Sequence, residues 1–177
     1  MSIKDHKFDL SLVLAACLAV LTYWMFAQSF INIGASVQHT FGAVDTTLNL
    51  SISIVAFVTG IFMVGAGDVA DKVGNLKMTK LGLMLSIIGC ICLISTHLTA
   101  FLIIGRIFQG LSAAVLLPST IGLVTDRFSG ETLRKAYSYL MIATVGGIGF
   151  ASYIGGTISQ YLHWQSIFVL SIILSVV

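Results

Sequence analysis

The sequence predicts an all-α, polytopic membrane protein with six hydrophobic spans, and three observations carry that expectation. Hydrophobic residues make up 57% of the 177 and charged residues only 9%, whereas a soluble domain carries about a quarter charged residues to keep its surface hydrated. The mean hydropathy is +1.02. The few charges are grouped between apolar runs near the ~20 residues that a helix needs to cross ~30 Å of hydrocarbon. Lipid is the expected solvent for most of this chain.

Taken in order, the spans fall at about 11–34, 48–67, 79–96, 100–124, 136–156 and 166–177. The first begins an apolar run at Leu10 far longer than the core of a cleavable signal, so it reads as a retained helix. Arg106 alone interrupts the fourth. The sixth offers about 12 residues, roughly 18 Å of helix, and no charged anchor follows it. It reads as truncated, either as a fragment or as a premature stop. No linker or low-complexity tract divides the chain, so residues 1–177 form one predicted domain. The 17 glycines lie largely inside the spans, as membrane helices tolerate.

Orientation follows from the cations. Lys4 and Lys7 precede the first span; Lys72, Lys77 and Lys80 lie between the second and third; Arg127, Arg134 and Lys135 lie between the fourth and fifth. The segments around 35–47, 97–99 and 158–165 carry no Lys or Arg. Eight of the nine cations therefore share one side, and the positive-inside rule makes it the cytoplasmic face of the cell membrane, with the N-terminus inside.

The same composition excludes several classes. A net charge of +2 without a basic stripe gives no nucleic-acid surface. Cys17, Cys90 and Cys92 sit in apolar runs, and Cys90 and Cys92, two apart, face roughly opposite sides of a helix, so buried thiols are expected rather than a metal site. His39, His97 and His163 fall in outer loops and His6 in the inner tail, without metal-ligand spacing. The seven acids are expected outside the spans, no Ser-His-Asp set is apparent, and no phosphate-binding loop is present. No enzyme, cofactor or ATP-driven pump is indicated.

Four segments carry the informative polar residues. Gly67-Asp68-Val69-Ala70-Asp71-Lys72-Val73-Gly74-Asn75-Leu76-Lys77 joins the second and third spans as an expected short loop, with Gly67 and Gly74 allowing a tight reversal. Asp71 sits at the negative end of a helix dipole, an unfavourable place by about 0.3–1 kcal/mol unless something answers it; a solvated polar turn is the simple alternative. In the fourth span, Arg106, Gln109 and Gly110 share a helix face. A cation at that depth costs several kcal/mol unless paired or hydrated, or unless it snorkels to the outer headgroups.

The fifth span ends with Gly147, Ala151 and Gly155 four apart, followed by Gly156, a small-residue stripe that lets another helix approach closely. In the first span Trp24, Gln28 and Asn32 lie four apart on one face, continued by Ser36. Interhelical hydrogen bonding and substrate contact explain that stripe equally well.

These motifs resemble one family. The Gly67–Lys77 string is similar to the loop signature Gly-x-Leu-Ala-Asp-Arg/Lys-x-Gly-Arg-Lys/Arg of the major facilitator superfamily, matching at Gly67, Ala70, Asp71, Lys72 and Gly74. Val69 replaces its leucine, and Asn75 and Leu76 stand where the pattern has cations. Arg106 to Ala114 resembles a second signature, Arg-x-x-Gln-Gly-x-x-Ala-Ala, at every stated position. Gly146 to Gly156 resembles the antiporter signature Gly-x-x-x-Gly-Pro-x-x-Gly-Gly, with Ala151 and Ser152 replacing its Gly-Pro. Trp24 to Ser29, and Trp164 with Ile167 and Phe168, resemble stretches of fourteen-helix drug:proton antiporters of the quinolone-exporting kind.

The resemblance implies the N-terminal six-helix half of such an exporter, built from two three-helix repeats and embedded in the lipid bilayer. It implies efflux of amphipathic drugs such as quinolones, dyes or quaternary ammonium compounds, driven by protons and needing no cofactor. It gives Arg106 and Gln109 to proton coupling, Gly67, Asp71, Lys72 and Gly74 to a cytoplasmic latch, and Gly147, Ala151, Gly155 and Gly156 to helix packing. Trp24, Gln28, Asn32 and Tyr137 become candidate cavity residues. Many relatives carry an intramembrane Asp where Ala27 stands here. Alternating access requires a second half, whether a missing C-terminal part or a second chain; a non-transporting remnant or a partner-binding half is the alternative.

Overall fold

A computed structural model of the chain describes residues 9–42, 45–95, 98–161 and 163–176. Lys4, His6, Lys7 and His97 lie outside the described residues, as do positions 96 and 177 at two span ends. The described elements are α1 (Leu10–Asn32), α2 (Gly34–Phe41), α3 (Asp45–Val73), α4 (Asn75–Ser95), α5 (Thr99–Arg127), α6 (Gly130–Tyr161) and α7 (Ser166–Val176). There is no strand among the described residues. Five helices are long and apolar enough to cross a membrane: α1, α3, α4, α5 and residues Gly130–Ile158 of α6; the shorter α7 is also apolar on average.

The helices outrun the expected spans where charge made the sequence look like loop. α3 and α5 continue through Asp68, Asp71 and Asp126, because a helix that has left hydrocarbon still satisfies its own backbone. The expected loop over 67–77 shrinks to one residue. Gly74, at φ +106°, reverses the chain alone, a conformation that costs glycine little and other residues much. Gly67 instead lies inside α3, its Cα side facing Pro118 of α5. The segment expected as an outer loop over 35–47 contains α2, which ends at Gly42 in a left-handed cap donating to the Gln38 carbonyl. α1 starts at an acidic N-cap: Asp9 Oδ1 accepts from Ser11 Oγ at 2.9 Å and from the Leu12 N–H at 3.4 Å. The Ser11 hydroxyl bond, chiefly, holds the Asp9 carboxyl below its ordinary range.

Packing follows an internal symmetry. α1 packs on α6 and α7, α5 packs on α3 and α4, α1 meets α5, and α4 meets α7. Exchanging α1, α3 and α4 for α5, α6 and α7 reproduces these pairings, as two three-helix repeats require.

Small and hydroxylic residues make the closest interfaces, since lipid supplies no hydrophobic drive between helices. α4 and α5 are joined along their length by Asn75 Nδ2 to Asp126 Oδ2 at 2.7 Å, Thr79 Oγ1 to Ser119 Oγ at 3.0 Å and Ser112 Oγ to the Gly82 carbonyl at 2.7 Å. Gly89 and Gly105 face each other so closely that a Cβ on either would stand 2.9 Å from the other's carbonyl oxygen. α5 passes through Pro118 unbroken, with Thr120 Oγ1 bonding back to the Leu116 carbonyl at 2.7 Å nearby.

At the end of the bundle that carries α2, Trp164 is buried, donates from Nε1 to Thr40 Oγ1 at 2.9 Å and meets Phe41 and Phe168. Val13, Ala16, Val124, Phe128 and Ala136 close a smaller apolar cluster at the opposite end.

Candidate functional site: a buried arginine beside an interhelical cavity

Arg106 is the eighth residue of α5 and is only 1% exposed, so snorkelling to the headgroups does not describe it. Its side chain turns into the bundle and ties three helices together. Nε donates to the Ser51 carbonyl of α3 at 2.9 Å; Nη1 donates to the Phe26 carbonyl of α1 at 3.2 Å and to Gln109 Oε1 at 2.7 Å. The guanidinium carbon lies 4.1 Å from the Phe30 ring centroid, where the ring quadrupole attracts a cation. Gln109 is held in turn by donating from Nε2 to Cys90 Sγ at 3.7 Å. Carbonyl dipoles, one amide and one aromatic face thus surround this charge, while the described acids sit at helix ends or beyond them.

Beside it, α1, α3 and α5 border an open-sided cavity of about 190 Å³. Tyr23, Trp24, Ala27, Gln28 and Ile31 of α1, Ile52, Val55 and Ala56 of α3, and Arg106 line it. Of the four cavity candidates read from the sequence, the structure places Trp24 and Gln28 here. Asn32 is exposed and spends its amide on α6, donating to the Ser152 carbonyl at 3.1 Å. Tyr137, on α6 near the Gly130 end, is not among the lining residues.

The small-residue stripe lies where α6 approaches α1. A Cβ at Gly147 would stand 2.8 Å from Trp24 Cδ1. Ala151 and Gly155 are buried and Gly156 is half-buried.

At the basic end, Asp71 and Lys72 are exposed on the last turn of α3, and Gly74 turns the chain into α4. Asn75, at one of the positions where the family pattern has a cation, is buried against Gly122 and bonded to Asp126. A neutral amide bonded to one carboxylate thus occupies that position.

Sequence reasoning did not find Ser51, Phe26 or Phe30 as partners of Arg106. Two of them act through backbone carbonyls, which every residue possesses. The Phe26 and Phe30 pair, four apart on α1, was the one usable signal.

Compared with known proteins, the family described as Major Facilitator Superfamily matches residues 12–177. The chain is similar to proteins named "Quinolone resistance protein NorB" from Staphylococcus aureus strains JH9 and Newman. In each case it is 40% identical over 166 residues, covering 94% of this chain and 36% of the relative. The chain therefore spans about a third of the length of these curated relatives.

Proposed function

The chain belongs to the Major Facilitator Superfamily, and from that premise we propose that it forms the N-terminal six-helix part of a proton-coupled exporter of amphipathic drugs, quinolones, dyes and quaternary ammonium compounds among them. Membership places it among multi-pass membrane transporters rather than enzymes. The observation that carries the reading is Arg106, a fully buried cation beside a cavity that opens among α1, α3 and α5. An ionisable group inside a membrane bundle is expensive and marks a functional path. The quinolone-resistance names of the relatives at 40% identity supply the drug class.

In this reading the proton gradient drives transport without a cofactor, Arg106 and Gln109 take part in coupling, and the N-terminus is cytoplasmic. The second half needed for alternating access packs on α3 and α6, whose exposed residues include Phe57, Ile61, Val64, Ile142, Val145 and Tyr153. The test is ethidium and norfloxacin efflux from cells expressing the natural full-length polypeptide. Efflux that stops on adding a protonophore is expected; no efflux beyond that of cells lacking the protein would overturn the reading.

The latch role of Asp71 gives a separate expectation. Asp71 is exposed and has no ion-pair partner among the described residues, so its carboxylate is open to a partner from the other half. Asp71→Asn should slow efflux several-fold and raise the labelling rate of a cysteine introduced at the basic end, with protein abundance unchanged. Identical transport and labelling would remove the latch.

A further inference from the structure

We propose that the cavity beside Arg106 is a carboxylate subsite, which takes the acid group of an amphipathic aromatic substrate as the counter-ion that this chain does not provide. The inference rests on the exporter reading and specifies its substrate. Three observations carry it.

The first is an incomplete set of hydrogen bonds. A guanidinium has five N–H donors. Nε and Nη1 are used on Ser51, Phe26 and Gln109, whereas Nη2 has no acceptor among the described residues. Arg106 is one of the residues that line the cavity, so the cavity is where an acceptor for Nη2 can enter. The second is the charge. Every acceptor around Arg106 is neutral, and the described carboxylates lie at or beyond helix ends. A buried cation left with dipoles alone binds an incoming anion more strongly than a surface arginine does, because water has already been removed from it. The third is Ala27, a methyl group on the cavity wall. An acid there would neutralise Arg106 from within the chain; the alanine leaves that position to a ligand.

The remaining walls describe the body of the ligand. Tyr23 and Trp24 give flat aromatic surface, and Ile31, Ile52 and Val55 give apolar surface. About 190 Å³ holds a carboxylate and the ring that bears it, with the rest of the molecule extending toward the open side. A planar aromatic acid fits this combination; a cationic dye exported by the same protein would bind away from Arg106.

The same carboxylate could instead come from an acidic side chain in the rest of the full-length polypeptide, and the experiment separates the two sources. Norfloxacin and its methyl ester, which differ in the carboxylate, are titrated against the full-length protein in lipid nanodiscs, read by the anisotropy of the drug's own fluorescence. The acid is expected to bind at least about tenfold tighter than the ester, as a charge-assisted hydrogen bond made on binding should give. Ala27→Asp should bring the two within about twofold by placing a carboxylate beside Arg106, with ester binding retained as the sign of an intact fold. Ala27→Asn, the same size but neutral, should keep the preference.

Equal affinities in the wild type would overturn the proposal and assign the counter-ion to the rest of the polypeptide. A tenfold preference that survives Ala27→Asp would place the acid elsewhere and overturn it too. Binding of ethidium but of neither quinolone would overturn the subsite while leaving the exporter reading. If no probe binds and none is exported, both fall.

Discussion

Arg106→Ala is expected to reduce drug efflux by the proposed exporter at least tenfold while full-length protein still reaches the membrane. The substitution removes two hydrogen bonds that join α5 to α3 and α1 and a third within α5, leaving Gln109 Oε1 without its donor. Hydrogen bonds from a charged group contribute about 1.5–3 kcal/mol each in water-soluble proteins, and membrane measurements average nearer 0.6 kcal/mol. At the low end of each scale three of them give roughly 2–5 kcal/mol, partly offset because the Phe26 and Ser51 carbonyls keep their helical partners. A fall of several degrees in melting temperature in detergent should accompany the lost transport.

Arg106→Lys separates charge from geometry. A lysine ammonium is a compact charge on a flexible stem and cannot reach all the acceptors of a planar fork, so partial efflux is expected. Efflux of ethidium or norfloxacin from energised cells, normalised to membrane-inserted protein, is the measurement. Wild-type rates in Arg106→Ala would end the coupling role of this residue.

Gly89→Val should be at least as damaging, through packing alone. A Cβ at Gly89 would meet Gln109 Cγ at 2.9 Å, the Gly105 carbonyl oxygen at 2.9 Å and the Gln109 backbone nitrogen at 3.2 Å. Two of those three neighbours are backbone and cannot rotate away. α4 and α5 must separate, and Gln109 moves off Arg106 as they do. Overpacking typically costs about 1–3 kcal/mol and occasionally more; the upper end is expected here.

Gly82→Val provides the comparison. Its Cβ would meet Leu116 Cγ at 2.7 Å and Val115 Cγ1 at 3.3 Å, which belong to side chains with other rotamers. The loss of thermal stability should be clearly smaller than for Gly89→Val. Equal losses would mean that the backbone contact is not what limits the approach of α4 to α5.

Much of this architecture is legible in the residues themselves. Apolar run lengths locate the spans, the grouping of cations separates the helix ends, and the Gly147, Ala151 and Gly155 spacing marks a close-packed face. The Arg106 to Gln109 spacing also leads directly to a bond of 2.7 Å. What escapes does so for identifiable reasons. α2 has Gly, Ser, Gln, His and Thr in eight residues, so no apolar period announces it. The ends of α3 and α5 are charged, and charge says that a helix has left hydrocarbon, not that it has stopped. Asn32 and Trp24 belong to one stripe, yet one bonds α6 and the other lines a cavity. Helical phase assigns residues to a face but does not divide that face between two neighbours along its length. The cavity itself depends on where α3 lies against α1, a long-range relation that no local pattern encodes.

The exchange symmetry of the bundle bears on how the chain is made. α3 and α4 touch each other and α1 only slightly; each is held chiefly by α5. The ribosome delivers them in the reverse sense, helices first and their common support later. Until α5 arrives, the first three membrane helices have little to hold one another and must persist as separate insertions in lipid. α1 waits longer still, since its partners α6 and α7 follow α5. Assembly is therefore a late closure around two central helices, and the contacts of α3 and α4 with α5 are the first extensive interfaces that the growing chain can complete.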